Sequence, residues 1–390
     1  MRKSPGDRDP HPLAPELIAL LHLRALPGIG DVRGRSLLDR FGSASAVLRA
    51  PAKALGDAAA RARDRALTTG RVDRAIDTIG RLGIVPIPYD DARYPARLNE
   101  LHDAPLLLFA AGDLDLLVRP GLAVVGTRRA TTHGLDATHT LVPAVARTGT
   151  PVISGLARGI DTAAHRAALD AGGPTIAVLG AGIDVPYPRE NSALHEEIGV
   201  RGLLLSEFLP GTPPARGHFV RRNRIIAALA RAVLVVEAPQ RSGALTTVGH
   251  ALDLNRDVLA VPGPIGRPSC VGTNELLRDG AALVLEPLDL LDALGGRTPP
   301  SAGDGASQRG AAGGMRARRE RRRAEAAGRP APADPAANAL WKALDEESQH
   351  VDVLASRAGI TAASAAAALL QLELEGRVQH AGGMSFRRIG

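Results

Sequence analysis

Phe219, Arg221, Arg222, Asn223 and Arg224 fall within six residues of "GHFVRRNRIIAALARAVLVVEA", residues 217 to 238. A ring, three guanidiniums and an amide stand at the entrance to an apolar helix that feeds an apolar strand. Guanidinium forks bind phosphate or carboxylate through paired hydrogen bonds, and an aromatic face stacks on a nucleobase. Arg221 and Arg224 lie three apart and share a helix face, while Ile225, Ile226 and Leu229 supply the core face. Cations at a helix N-terminus oppose its dipole by some tenths of a kcal/mol each, a cost that makes sense where an anion is expected. The plain alternative gives Phe219 to the core and the arginines to surface ion pairs. Convergence of a ring and four polar groups favours the ligand.

Three further loops carry compatible chemistry. Gly126-Thr127-Arg128-Arg129 offers a tight turn, a hydroxyl and a fork. In "SGLARGIDTAAHRAAL", Ser154, Gly155 and Gly159 make a permissive loop holding Arg158, and Asp161 is placed to cap the following helix. Small residues, backbone N–H groups and a helix start suit a phosphate. His165 on that helix reads as a packing residue rather than a base. "PQRSGALTT" repeats the theme with Ser242, Gly243, Thr246 and Thr247, and Glu207 and Glu237 close strands where they can orient arginines. None of these loops holds an ordered nucleophile, His and carboxylate, a metal-ligand spacing, or a GxxxxGK[ST] phosphate loop. The chemistry is that of anion binding and stacking, so no catalytic residue, cofactor or metal is expected.

These loops need a frame. From residue 121, "LAVVGT" (122–127), "PVIS" (151–154), "TIAVLG" (175–180), "LLLSEF" (203–208), "AVLVVEA" (232–238), "DVLAVPG" (257–263) and "AALVLE" (281–286) alternate with helical spacings. Continuous apolar strands between helices predict a parallel sheet covered on both faces, with functional loops at the strands' carboxyl ends. Upstream, two amphipathic helical stretches break at Pro27-Gly28-Ile29-Gly30, either a hairpin presenting amides to a phosphate or a plain turn. Residues 296–337, with "RARRERRR", read as a disordered basic linker. Residues 338–390 read as three helices and a Gly-Gly turn, a winged helix. Its third helix, Thr361 to Glu375, has no Lys or Arg but carries Glu373 and Glu375, which suits a protein contact better than DNA reading.

Net charge is +7, yet only Lys3, Lys53 and Lys342 among the 48 basic residues are lysine, the mark of a GC-rich genome. Basic and acidic residues nearly balance within each third of the chain, so any anion site is a local cluster. One cysteine, Cys270, excludes a disulfide framework and a Cys-rich zinc site. Neither a signal-peptide core nor a membrane-length apolar run is present, so the expected setting is the cytoplasm, without membrane contact.

The motifs "VGTR", "SGLARGIDTAAHRAAL", "TIAVLG", "LLSE", "FVRRNRIIAAL", "VVEA", "SGALTT" and "VPG" closely resemble the DprA/Smf family of bacterial DNA-processing proteins, over about residues 85 to 290 and into both flanks. The resemblance implies an α/β fold: an N-terminal helical domain (helix-hairpin-helix or SAM-like, 1–84), a Rossmann-like DNA-binding core (85–295) and a C-terminal winged helix (338–390). It implies a single-stranded DNA-binding protein that protects the strand and loads RecA recombinase onto it in natural transformation, as a homodimer through the core. The family's F-P-x-R-N-R motif falls on Phe219 to Arg224, with Val220 in place of proline, which loosens the preset backbone there. By the same match Arg128, Ser154, Gly155, Arg158, Gly159, Ser242 and Gly243 line the pocket, with Gly126, Thr127, Asp161 and Glu237 in support. The rival is a nucleotide enzyme of the LOG-type phosphoribohydrolase kind. Its P-G-G-x-G-T-x-x-E loop corresponds here to "PQRSGALTTVGHA", which lacks the glutamate and the paired glycines.

Overall fold

Apolar runs without polar interruption must be buried on both faces, and they form the centre of a nine-stranded sheet. The computed structural model describes residues 13–26, 28–51, 53, 70–295, 334–344, 349–374, 377–382 and 385–388. Its strands are β1 (Val85–Pro88), β2 (Leu107–Gly112), β3 (Gly121–Val125), β4 (Val152–Ser154), β5 (Thr175–Leu179), β6 (Leu203–Ser206), β7 (Ala230–Val235), β8 (Asp257–Ala260) and β9 (Ala282–Leu283). The spatial order is β1-β2-β6-β5-β4-β3-β7-β8-β9. From β6 to β9 every pairing is parallel, whereas β1 and β2 run antiparallel at one edge. β1 and β2 thus extend the sheet beyond the seven strands expected from residue 121 onward. β1 is "VPIP", and its prolines are tolerated because it is an edge strand that needs fewer ladder donors.

The chain leaves β3 in one direction, to β4, β5 and β6, then returns to the other side as β7, β8 and β9. Such a reversal opens a crevice at the carboxyl ends of the strands that flank it. Helices α5 (Thr132–Arg147), α6 (Ile160–Asp170) and α11 (Pro287–Ala293) bury Leu141, Val145, Ala164, Ala168 and Leu290 against Leu122, Val124 and Leu234. Between them in sequence come α7 (Ser192–Arg201), α8 (Arg216–Leu229), α9 (Ala244–Asp253) and α10 (Val271–Arg278).

Ahead of the sheet lie α1 (Pro15–Ala25), α2 (Asp31–Phe41), α3 (Ala44–Arg49) and α4 (Arg71–Leu82). Leu21 and Leu23 of α1 and Leu38 of α2 share one apolar cluster with Leu107 and Phe109 of β2 and Leu204 of β6. The N-terminal helices are thus docked on the core. Pro27 and residues 296–333, with the basic run, lie outside the described residues.

The chain divides into two compact units, Met1–Gly305 and Ala306–Gly390. In the second, α12 (Pro335–Ala343), α13 (Val351–Ala358) and α14 (Ala362–Leu374) enclose Leu340, Leu354, Leu369, Leu372 and Phe386. A small sheet, β10 (Gln349–His350), β12 (Ser385–Arg388) and β11 (Val378–Gly382) in that order, completes a winged helix. α12 starts at Pro335, inside the stretch read from sequence as linker, because Asp334 caps it by accepting from the Ala337 N–H. Among the described residues no helix is long and apolar enough to cross a membrane.

Candidate nucleic-acid interface

Helix α8 begins at Arg216, so Phe219 lies in its first turn rather than in a loop before it. Valine at 220 makes this possible, since it supplies the backbone N–H that proline lacks. The half-buried Phe219 ring rests over Gly180, where a Cβ would stand only 2.6 Å from ring atom Cδ1. The exposed Tyr187 ring packs beside it at 5.3 Å between centroids, and the Arg128 guanidinium lies 5.2 Å from the ring centre. These spacings suit an aromatic pair and a cation–π contact. Tyr187 was absent from the sequence-derived site. Its signal was there: an aromatic in the β5 loop of a chain only 2% aromatic.

The Arg128 backbone is held by Gly159, whose φ is +75° and whose absent Cβ would collide with the Thr127 carbonyl oxygen at 2.3 Å. The Thr127 N–H donates to the Glu237 carbonyl, its own carbonyl accepts from the Ile160 N–H, and its hydroxyl accepts from the Arg129 N–H. Gly126 leaves room for Ile160, 2.6 Å from where a Cβ would sit. Arg128 itself is exposed and forms no ion pair among the described residues. Arg158 is exposed too, and its fork holds Glu190, with Nη2 donating to Oε2 at 2.7 Å.

The α8 arginines have other partners. Arg222 is buried, and its Nη1 donates to the carbonyls of Gly155, at 2.7 Å, and Val178. Gly155 has no Cβ because the guanidinium fills that space, 2.3 Å from the ideal position. Burial pushes the Arg222 pKa down to about 10, against the attraction of Asp161. Arg224 is equally buried. Its Nε donates to Asp103 at 2.8 Å and its Nη2 to Glu207 at 3.0 Å, with Asp31 at 3.5 Å. Burial opposes its charge, but Glu207, Asp103 and Asp31 outweigh that and raise its pKa. Arg221, about one-third exposed, donates to Asp31 and forms an ion pair with Glu207 at 2.9 Å. Arg24 of α1 joins both carboxylates at 3.5 and 3.9 Å. Burial raises the Glu207 carboxyl above its ordinary value, and Arg224 and Arg221 pull the other way. Asp31 opens α2 and also accepts from the Leu106 N–H at 3.1 Å, so the hairpin after Pro27 already has a carboxylate at its helix start.

The remaining predicted residues are structural in their contacts. Ser154 is buried, its hydroxyl donating to the Val124 carbonyl. Asp161 does not cap α6, whose cap residue is Gly159. It is buried and accepts instead from the Gly155 and Ala157 N–H groups at 3.1 and 3.3 Å. Burial raises its pKa, with Arg222 opposing. Among the described residues Glu237 forms no ion pair with an arginine; its two oxygens accept from the Thr131 N–H and hydroxyl, which fixes the start of α5. The Asn223 amide donates to Gly243 O and Thr246 Oγ1, joining α8 to the 242–246 loop. The Ser242 hydroxyl accepts from the Ala244 N–H, and Gly243 faces open space. His165, buried on α6, is a packing residue as its sequence context suggested. The strand-end loops thus meet as one face, with Phe219, Tyr187, Arg128 and Arg158 at its surface and the buried arginines beneath.

Comparison with known proteins agrees with this frame. The family model of DNA recombination-mediator protein A matches residues 86–295, and that of the DprA winged helix domain matches residues 324–384. The DNA processing protein DprA of Streptococcus pneumoniae is 47% identical over 201 residues, 52% of this chain and 71% of that one. The X-ray structure of DNA processing protein A from the same species matches with a TM-score of 0.62 and 36% identity, covering 70% of this chain and 97% of that one. A structure of DNA processing protein A from Helicobacter pylori, described for its single-stranded DNA binding mode, matches with a TM-score of 0.50 and 30% identity over 54% of this chain and 95% of its own.

Proposed function

The chain belongs to the DprA/Smf family of DNA recombination-mediator proteins, and on that premise we propose that its core binds single-stranded DNA and hands it to RecA recombinase. The observation that carries the reading is the Phe219 ring, bracketed by Tyr187 and Arg128 at the carboxyl edge of a parallel sheet. A bare base needs an accessible ring, and duplex DNA keeps its bases stacked away from one. Arg128, Arg158 and the exposed part of Arg221 supply forks for the backbone. Arg158 would exchange the exposed Glu190 carboxylate for a phosphate, a modest change, whereas Arg221 would keep its buried partners Asp31 and Glu207 and offer only its exposed edge.

The protein acts by binding, without catalysis, and works as a homodimer through the core in DNA uptake and recombination. The winged helix is a protein-contact module: α14, "AASAAAALLQLEL", offers no cationic donor to a groove. The phosphoribohydrolase reading is not favoured, because the loop after β7 lacks that signature's glutamate and paired glycines.

Titration of the purified full chain with single-stranded and duplex DNA at several salt concentrations tests this. Three guanidiniums, each neutralising one phosphate, give a slope of log K against log salt of roughly −2 for single strands. Preference for duplex DNA, or a flat salt response, overturns the reading.

A further inference from the structure

Beside the platform the surface opens into a groove of about 390 Å³, lined by Leu135 and His139 of α5, Gly159, Ala163 and Arg166 on the α6 side, and Arg158. Glu190 and Asn191 form its other wall. It adjoins the platform directly: Gly159 lines the groove, and its Cβ position lies 2.9 Å from the Arg128 carbonyl carbon, while the Arg128 guanidinium lies 5.2 Å from the Phe219 ring centre. A strand leaving the ring past Arg128 therefore enters the groove.

Its chemistry fits one nucleotide. Leu135 and Ala163 give an apolar floor. Arg158 and Arg166 are about half exposed or more and hold the exposed Glu190 and the partly exposed Glu197, the latter at 3.0 Å and shared with Arg201. Exposed pairs of this kind contribute little, so a phosphate can take over either fork. Of the other polar groups, the Asn191 amide donates to Leu156 O and Thr162 Oγ1, the Thr162 hydroxyl donates to Ala157 O, and His139 is an exposed side chain at the rim. Nothing fixed in the groove is left to read a base edge.

We propose that this groove seats the nucleotide adjacent to the one stacked on Phe219, with Arg158 and Arg166 on its phosphates and its base or sugar over Leu135 and Ala163. This rests on the platform being the single-strand site. The seat extends the track from the loops onto the outer surface of α5 and α6 and adds affinity without sequence preference.

The test uses the full chain, oligothymidylates of increasing length, and the variants His139→Glu, Arg166→Ala and Phe219→Ala. Both groove positions are exposed, and thermal melts verify that the variants fold. Phe219→Ala is expected to weaken binding at every length. The groove variants should match the wild type on the shortest oligomer it binds, then lose roughly five- to tenfold of the affinity gained on lengthening, the size of one ordinary hydrogen bond net of hydration, because the phosphate replaces a carboxylate already on the fork. Arg166→Ala should also lower the salt slope by roughly 0.7 on long oligomers only. If Phe219→Ala weakens binding while the groove variants follow the wild type at every length, the seat is wrong and the platform stands. If no variant changes binding, or the wild type binds no oligomer, both fall. Thymidine monophosphate is the competing arm: a groove that binds it with His139→Glu sensitivity, while oligomer binding ignores that change, is a mononucleotide site and not a strand path.

Discussion

The arginines of α8 and those of the strand-end loops border the same face of the sheet, yet they live in opposite electrostatic settings. Arg222 and Arg224 are about 97% buried and spend their hydrogen bonds on strand carbonyls and on Asp103 and Glu207. Arg128 and Arg158 are exposed, the first beside a ring and the second paired with an exposed carboxylate. The motif that draws the eye in sequence is therefore mostly a keel, which ties α8 to the strand ends and, through Asp31, to the N-terminal helices. The ligand-facing charge comes from loops that look weaker on paper. Burial decides the difference: a guanidinium in low dielectric must keep its partners, whereas an exposed one can trade them.

The largest effect should come from the keel. Arg224→Ala leaves Glu207 and Asp31 short of a partner inside the protein, and breaking a buried pair in this way costs about 3–5 kcal/mol. Urea denaturation should register that loss, together with loosening of the N-terminal helices seen as faster hydrogen exchange in α1 and α2. A variant as stable as the wild type would show that Arg224 is not held as described, and its assignment would pass back to the ligand.

Phe219→Ala is the next largest, on the other side of the comparison. Stacking one base on a ring contributes about 1–3 kcal/mol, and single-strand affinity should fall by that amount with the salt slope unchanged, since no phosphate contact is lost. Because the ring is half-buried rather than enclosed, the melting temperature should move little. Large destabilisation with proportionate loss of binding would place Phe219 with the keel.

How much of this was legible follows the same line. The seven parallel strands announced themselves as Val, Ile and Leu runs, because a strand covered on both faces has no polar side to confuse the pattern. β1 did not, since "VPIP" reads as a turn until the edge position that tolerates its prolines is known. Residue types at the face were readable: a ring and forks where a polyanion could bind. The division of labour among the arginines was not. Their partners, Asp31, Asp103 and Glu207, arrive from three distant parts of the chain, and a fork suited to phosphate is equally suited to carboxylate. Asp161 bonds to the Gly155 and Ala157 amides and Glu237 to Thr131, contacts that only the folded loops create.

His165 offers a subtler probe of the buried half. Thr175 donates its hydroxyl proton to Val152 O, so the His165 Nδ1, 2.7 Å from Thr175 Oγ1, is the donor there. Burial, with Arg222 adding to it, pushes its pKa down to about 3. The unfolded chain takes up a proton near pH ~6.5 that the native state refuses, so the contribution is complete above that pH and is lost as pH falls. Between about pH 6 and 5 stability should drop by about 1.4 kcal/mol per pH unit from this residue alone. His165→Gln should flatten that stretch of the profile, measured by denaturant titration at each pH. An unchanged slope would mean that another group carries it.

Arg128→Ala should have the smallest effect on folding and the cleanest effect on binding. The side chain is exposed and unpaired with any carboxylate among the described residues, so its removal should leave stability within about 0.5 kcal/mol of the wild type. Its loss removes one phosphate fork, which lowers the single-strand salt slope by roughly 0.7. It also removes the cation over Phe219, worth about 0.5–1 kcal/mol at an exposed ring. Affinity should therefore fall at all salt concentrations and fall most at low salt, where the lost phosphate contact counts for more. The paired measurement decides the comparison. Should Arg128→Ala keep its slope while a folded Arg224→Ala loses slope, the guanidinium on the DNA would be the buried one, and the keel would have to open for the strand to enter.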